Sequence, residues 1–416
     1  MLRSHTKTIF EAVGRSPIHP FPARMAPGIA LEALGEGKVP LRVLDPMAGS
    51  GTVLAVARAN GHRAIGVDID PLAVLVAKVW TTTVDEEKVR DKASEVLELA
   101  RKGFDPLPAG EAYPAGSDDE TREFVRYWFD VYARRQLTAL SKAISGVRDH
   151  DIRDVLWCAF SRLIITKQAG ASLAMDLSHS RPHRQFEYAP VKPFNRFRIA
   201  VETIVSNCPR AGTGPLGPIT LVKQGDARRL EIKSETIDLV LTSPPYLNAI
   251  DYMRCSKFSL VWMGHNVNDI RQLRGQSVGA EAASEEASDA DWVKLIINDL
   301  KLRPKLSCRD RGLLARYVWD MSQALREAAR VLKLGGRAVY VVGDSMTRGT
   351  FIRNSKIVTV VAQQHGLSLF SRQCRSLPAN RRYLPPPNRA VSSTAMDGRM
   401  RKEVVLVFDK PQARTP

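Results

Sequence analysis

The stretch Leu41–Thr52 (LRVLDPMAGSGT), followed by Ala64–Pro71 (AIGVDIDP), limits the folds open to this chain more than any other. Leu41–Asp45 reads as a buried strand and Pro46–Gly51 as a turn of small residues. Thr52–Asn60 carries apolar residues at helical spacing, and Gly61 ends that helix. Ala64–Asp68 is a second strand. Pro71–Trp80 is a second helix, with proline in the first turn, where its missing N–H costs nothing. Strand, helix, strand, helix at this spacing predicts a βαβ unit, a parallel sheet and an α/β fold. Gly49 and Gly51 let a ligand approach the backbone at a strand-to-helix turn. Asp68 ends the second strand roughly 20 residues later, the spacing at which an acid reaches both hydroxyls of a ribose. Asp70 is the alternative. A dinucleotide fingerprint is incomplete, because Val53 and Leu54 stand where its third glycine belongs. A tight turn without a ligand is the plain competing explanation.

Composition narrows the classes. A chain of 416 residues with 44% hydrophobic and 25% charged residues has ample material for a large core, in two to three domains or one core with insertions. No run of about 18 apolar residues predicts a membrane span. The basic start, Met1–Lys7, lacks the apolar stretch of a secretory signal, so a cytoplasmic location is expected. The five cysteines are scattered and form no C-x-x-C pair, which argues against a zinc site and a disulfide framework. No metal is expected. His179 and His183 are spaced as a pair, but Pro182 argues against a helix between them. The net charge of +17 favours a polyanionic partner.

Along the chain, residues 1–84 hold the βαβ unit. Residues 85–218 read as a largely helical insertion. Within it, Glu86–Lys102 and Asp119–Ser145 look like exposed, charge-rich helices, and Asp154–Thr166 looks buried. The loop Ser178–Arg184 (SHSRPHR) is dense in donors suited to phosphate or base edges, notably His179, Arg181 and Arg184; a solvated polar loop is the alternative. Residues 219–416 return to strands at Leu221–Val222, Ile237–Thr242 and Arg337–Val342. A polar surface excursion is expected near 265–291. Leu313–Leu332 reads as a long helix closed by Gly335-Gly336. Val404–Phe408 reads as a late strand at a sheet edge. Arg381 and Arg382, beside Tyr383, form a second basic and aromatic patch.

Thr242-Ser243-Pro244-Pro245-Tyr246 lies where the chain leaves a strand, the edge at which open α/β sheets place their sites. Pro244 and Pro245 remove two backbone donors, so nearby carbonyls face outward as acceptors. The Ser243 hydroxyl beside such a carbonyl can accept from an –NH2 group, and Tyr246 offers a face for stacking on a base. A proline-rich surface turn is the alternative.

The two motifs together resemble the amino-methyltransferases of DNA, which make N4-methylcytosine or N6-methyladenine. The resemblance covers roughly residues 16–84 and 219–410. It implies a Rossmann-like class I methyltransferase sheet, with S-adenosylmethionine as cofactor. Asp45, Pro46, Ala48, Gly49, Ser50, Gly51 and Thr52 match the family's glycine-rich cofactor loop. His19–Arg24 (HPFPAR) matches its N-terminal cofactor motif, with Phe21 at the methionine end. Gly225-Asp226-Ala227 matches the acidic motif that contacts the cofactor's adenine, through Asp226. Ser243–Tyr246 matches the catalytic tetrapeptide.

In the family a serine before Pro-Pro-Tyr is commoner in cytosine-N4 enzymes, and Asp or Asn in adenine-N6 enzymes. DNA is the implied partner, with RNA as the lesser alternative and a cognate restriction enzyme as a further partner. The insertion precedes Gly-Asp-Ala, whereas the family's recognition domain usually follows it. Cytosine-C5 chemistry needs a cysteine after a proline, and no Pro-Cys dipeptide occurs here. An RNA-base methyltransferase and a catalytically silent nucleic-acid-binding protein remain as rival readings.

Overall fold

Short runs rich in Val, Ile and Leu form the middle of a seven-stranded sheet. The computed structural model describes residues 7–22, 24–35, 39–178, 182–210, 220–247, 252–280, 284–303, 306–347, 349–376 and 402–412. Its strands are β1 (Arg42–Asp45), β2 (Arg63–Asp68), β3 (Thr220–Gln224), β4 (Ile237–Thr242), β5 (Leu332–Gly343), β6 (Ser345–Thr347), β7 (Thr350–Ile352), β8 (Ser368–Ser376) and β9 (Lys402–Asp409). The order in the large sheet is β3-β2-β1-β4-β5-β9-β8, and β6 and β7 form a separate hairpin. β1 to β5 pair in parallel, while β9 runs antiparallel to both β5 and β8. Val43, Leu44, Val240 and Leu241 are completely buried, as expected of parallel strands with helices on both faces.

The order reverses between β1 and β4, so the crevice beyond their carboxyl ends is where a ligand site belongs. Two glycines let the helix after β1, Thr52–Ala59, settle against this crevice. A Cβ on Gly66 would fall 2.4 Å from Leu54 Cδ1. Gly51 has φ +82°, and a Cβ there would lie 2.9 Å from the Ala77 backbone of helix Pro71–Thr81. The approach at Gly51 needs a residue without a side chain, and a side chain at Gly66 would force Leu54 to shift.

The stretch between the second helix and β3 is helical, as the sequence predicts, with helices Glu86–Phe104, Asp119–Trp128, Val131–Ser145, His150–Ile164 and Pro193–Val205. The expected single helix Asp119–Ser145 is two. Phe129 is extended (φ −134°), and Asp130 caps the next helix by accepting from Ala133 N. Nor is that stretch merely exposed, since Leu137, Leu140 and Ile144 are fully buried. These helices share one apolar core with Leu72, Val76 and Trp80 of the second sheet helix and with Phe258 and Trp262.

Three other expectations are corrected. The polar excursion 265–291 contains helices Val267–Gln276 and Glu285–Asp289, with Val267, Ile270 and Ala287 buried. A few apolar anchors suffice to fold a stretch that reads as polar on average. Gly335-Gly336 does not close the long helix Cys308–Val331. It lies inside β5, where Gly335 N donates to Lys410 O. Finally, β9 is an inner strand. Strand β8, which the sequence pattern does not reveal, covers it as the edge.

Candidate active site

The residues singled out in the sequence gather along the carboxyl ends of β1 to β4. Asp45 ends β1, Asp68 ends β2, Asp226 follows β3 and Ser243 follows β4. Asp45 and Thr242 tie two of these ends together: Thr242 Oγ1 donates to Asp45 Oδ1 at 2.7 Å, with both side chains buried. Met47 N donates to the same oxygen at 3.2 Å.

Asp68 braces the glycine turn. Its Oδ2 accepts from Gly49 N at 2.8 Å and its Oδ1 from Asp70 N at 2.9 Å. A carboxylate has about four lone-pair sites, so acceptor capacity remains for ligand hydroxyls. Asp70 is otherwise engaged. It is the N-cap of helix Pro71–Thr81, accepting from Leu72 N, and its Oδ2 accepts from Ser256 Oγ at 2.5 Å. At 3% exposure it serves as a buried helix cap, with both carboxylate oxygens accepting from the protein.

The turn leaves room for a cofactor. Gly49 has φ +50°, and the nearest atom to a Cβ there would be Phe21 Cε1 at 3.9 Å, so the buried Phe21 ring walls the turn from the N-terminal segment. Pro46, Ala48 and Ser50 are buried beneath it. Thr52 Oγ1, at the start of the helix, is buried without a hydrogen-bond partner in the protein. Asp226 is gripped by Arg228 at 2.7 Å, and Arg228 also pairs with the buried Asp320 at 2.6 Å. That network fastens the end of β3 to helix Cys308–Val331.

Ser243 and Tyr246 are half-buried, and Pro244 between them is buried. Ser243 Oγ lies 3.2 Å from the Tyr246 hydroxyl and donates to Val341 O of β5 at 3.1 Å. The chain 248–251 that follows lies outside the described residues.

These strand ends, the single reversed strand β9 and the glycine turn can be set beside known proteins. No family model matches the chain. It is 22% identical over 414 residues to the type II methyltransferase M.MvaI of Kocuria varians, covering 94% of this chain and 90% of that one. It is 22% identical over 368 residues to the type II methyltransferase M.AvaI of a Nostoc strain, covering 79% and 73%. Among solved structures, an S-adenosylmethionine-dependent methyltransferase of Methanosarcina mazei matches 92% of this chain and 96% of its own, at 9% identity and a TM-score of 0.33. The strand order, with β1 to β5 parallel and β9 reversed, is that of a Rossmann-like α/β sheet.

Within that sheet, burial raises the carboxyls at the site. Asp45 is pushed up to about 7, chiefly by burial, with the Thr242 and Met47 hydrogen bonds pulling the other way. Burial likewise raises Asp68 above its ordinary value. An Asp45 carboxyl of ordinary value 3.8 in the unfolded chain keeps its proton longer when folded. Its contribution to stability is therefore best below pH 3.8 and worsens as pH rises toward 7, above which the full penalty of a buried charge stands. Asp45→Asn keeps an acceptor for Thr242 and removes that charge. Its stability relative to the native chain should improve between pH 5 and pH 8 by about 2–4 kcal/mol, at ~1.4 kcal/mol per unit of pKa shift. Paired melting curves across that range check it. A difference independent of pH would mean that Asp45 does not carry this ionisation.

Other placements are less direct. Arg184 lies across from Ala174, with its guanidinium 5.6 Å from the Tyr127 ring. His179, Arg181, Arg381 and Arg382 lie outside the described residues. A cavity of about 450 Å³ opens between helices Asp119–Trp128, Tyr252–Leu260 and Val267–Gln276, lined by Phe124, Tyr127, Trp128, Lys257 and Arg274 among others. No cluster of three metal-ligating side chains occurs among the described residues. Among them, too, no helix is long and apolar enough to cross a membrane. Burial pushes the Cys208 thiol up to about 12 and raises Cys158 further, so neither is a ready nucleophile.

Sequence reasoning missed a buried polar chain behind the site. His19 Nε2 lies 2.9 Å from Ser161 Oγ, which lies 2.9 Å from Ser259 Oγ. Burial, with Arg162 and Arg24 nearby, holds His19 well below its ordinary value and so neutral. With Asp70–Ser256, this chain pins helix Tyr252–Leu260 just after the tetrapeptide. Serines three apart on one helix are the only trace in the sequence, and such spacing is common on solvated faces.

Proposed function

We propose that this chain transfers the methyl group of S-adenosylmethionine to the exocyclic N4 of cytosine at specific sites in DNA. The Thr242–Asp45 hydrogen bond carries the reading. It joins the segment suited to an amine directly to the turn suited to the cofactor. S-adenosylmethionine, when bound, supplies an electrophilic methyl group. The open backbone at Gly49, the Phe21 wall, the lone pairs left on Asp68 and the unpartnered Thr52 hydroxyl fit it, and the adenine contact is assigned to Asp226, just after β3. Similarity to two type II methyltransferases supports site-specific modification, with a restriction enzyme as the counterpart.

The work of the protein is to position the amine. An exocyclic amine is paired inside a duplex, so the target base must leave the stack. Ser243 Oγ and the Pro244 carbonyl then accept from its N–H groups, which turns its lone pair toward the methyl donor. Tyr246 supplies the stacking face, and no covalent protein intermediate is needed. The net charge of +17 favours a nucleic acid partner, and the groove above offers the rings of Phe124, Tyr127 and Trp128, with four basic side chains against Glu120 and Glu123. The serine at position 243 favours cytosine, because its hydroxyl is short and uncharged.

Labelled methyl transfer, with DNA and RNA offered separately, tests the reading, and mass spectrometry of the nucleosides identifies the base. N4-methylcytosine is the expected product. N6-methyladenine alone would replace cytosine by adenine and leave the amine chemistry standing. Label in RNA alone, or in neither polymer, would overturn the DNA enzyme.

A further inference from the structure

The hydrogen bonds around Ser243 need one more acceptor than the tetrapeptide provides. Ser243 has a single hydroxyl hydrogen, and Val341 O, which can only accept, takes it at 3.1 Å. Toward the Tyr246 hydroxyl at 3.2 Å, Ser243 Oγ is then itself an acceptor. Among the described residues, the phenol's one hydrogen can go to Ser243 Oγ or to Glu403 Oε1 at 3.5 Å. Directed at the serine, it fills one of two lone pairs and weakens the other as an acceptor. Directed at the carboxylate, it leaves both lone pairs to an incoming amine, on an oxygen made more electron-rich by its bond to Val341.

The sheet register holds Glu403 ready for this. On β9 it lies opposite Gly343 of β5 and Arg375 of β8. Arg375 Nε binds its other oxygen at 2.8 Å, and the two side chains are only 14% and 15% exposed. One carboxylate oxygen is thus fixed by the arginine, and the second is turned to Tyr246.

We propose that Glu403 is a positioning residue of the methyl-transfer site, taking the Tyr246 phenol hydrogen so that Ser243 Oγ stays an acceptor for the substrate amine. The inference rests on the roles given above to Ser243 and Tyr246. Steady-state methyl transfer to DNA is the readout. In Glu403→Gln, Arg375 holds the amide oxygen, so the –NH2 group faces Tyr246 and drives the phenol hydrogen onto Ser243. A drop in kcat of about tenfold is expected, the scale of one mispaired hydrogen bond, with the KM for cofactor unchanged. Glu403→Ala should show the same loss if it folds, as melting curves will report.

Adding Tyr246→Phe removes the offending hydrogen and keeps the ring. The double variant should therefore recover most of the loss, which a merely structural glutamate would not allow. Full activity in Glu403→Gln, or a double variant no faster than Glu403→Gln, overturns the inference while the site stands. A native protein that methylates no base overturns the site and this inference with it.

Discussion

Asp68→Ala is expected to weaken S-adenosylmethionine binding by about 1.5–3 kcal/mol, roughly 10- to 150-fold in Kd. The carboxylate acts twice. It accepts from Gly49 N and Asp70 N, which sets the glycine turn, and in the proposed function its remaining lone pairs accept from the ribose hydroxyls. Removal leaves two backbone donors without an acceptor and the ribose hydroxyls without a charged partner. Asp70→Ala is the matched control. It removes a helix cap and the Ser256 contact, so it should lower the melting temperature and affect cofactor affinity less. Calorimetry on the two purified variants separates these roles. Native affinity in Asp68→Ala with lost affinity in Asp70→Ala would move the ribose to Asp70. Native affinity in both would remove the site from this turn.

How far these roles were legible in the sequence depends on the range of each interaction. The glycine turn and the two acidic strand ends are local features, written within about one βαβ unit. They fall where the spacing places them. Asp70 shows the limit. Its N-cap role is local and readable from the proline that follows, yet the hydrogen bond that commits its second oxygen comes from Ser256. Only the fold brings those two residues together. Glu403 is more distant still, reaching Tyr246 through β9, an inner strand that reads as an edge because β8 gives no clear alternation. The split of Asp119–Ser145 was written at Asp130, a helix-capping residue, but the charged residues around it hid the break. The glycines at 335 and 336 misled because a glycine after a helix usually caps it. Here β5 begins at once, and its pairing with β4 and β9 outweighs the local preference.

Tyr246→Ala should lower kcat for methyl transfer about 100-fold while cofactor affinity stays near native. The expectation follows from where the ring sits. Tyr246 packs at the fringe of the core beneath β5, with its hydroxyl between Ser243 and Glu403. That leaves it at the end of β4, two strands away from Asp68 at the end of β2. A base held against the ring gains stacking worth about 1–3 kcal/mol. The larger share of the effect is geometric, since an amine misplaced by about 1 Å from its line of attack loses on the order of 100-fold in rate. Ser243→Ala should cut the rate by a similar route but less, because the Pro244 carbonyl remains as an acceptor. Rapid-quench turnover with saturating cofactor, alongside calorimetric cofactor binding, distinguishes loss of chemistry from loss of the cofactor. A Tyr246→Ala protein at full rate would remove the stacking role. One that fails only because cofactor no longer binds would assign Tyr246 to the cofactor pocket.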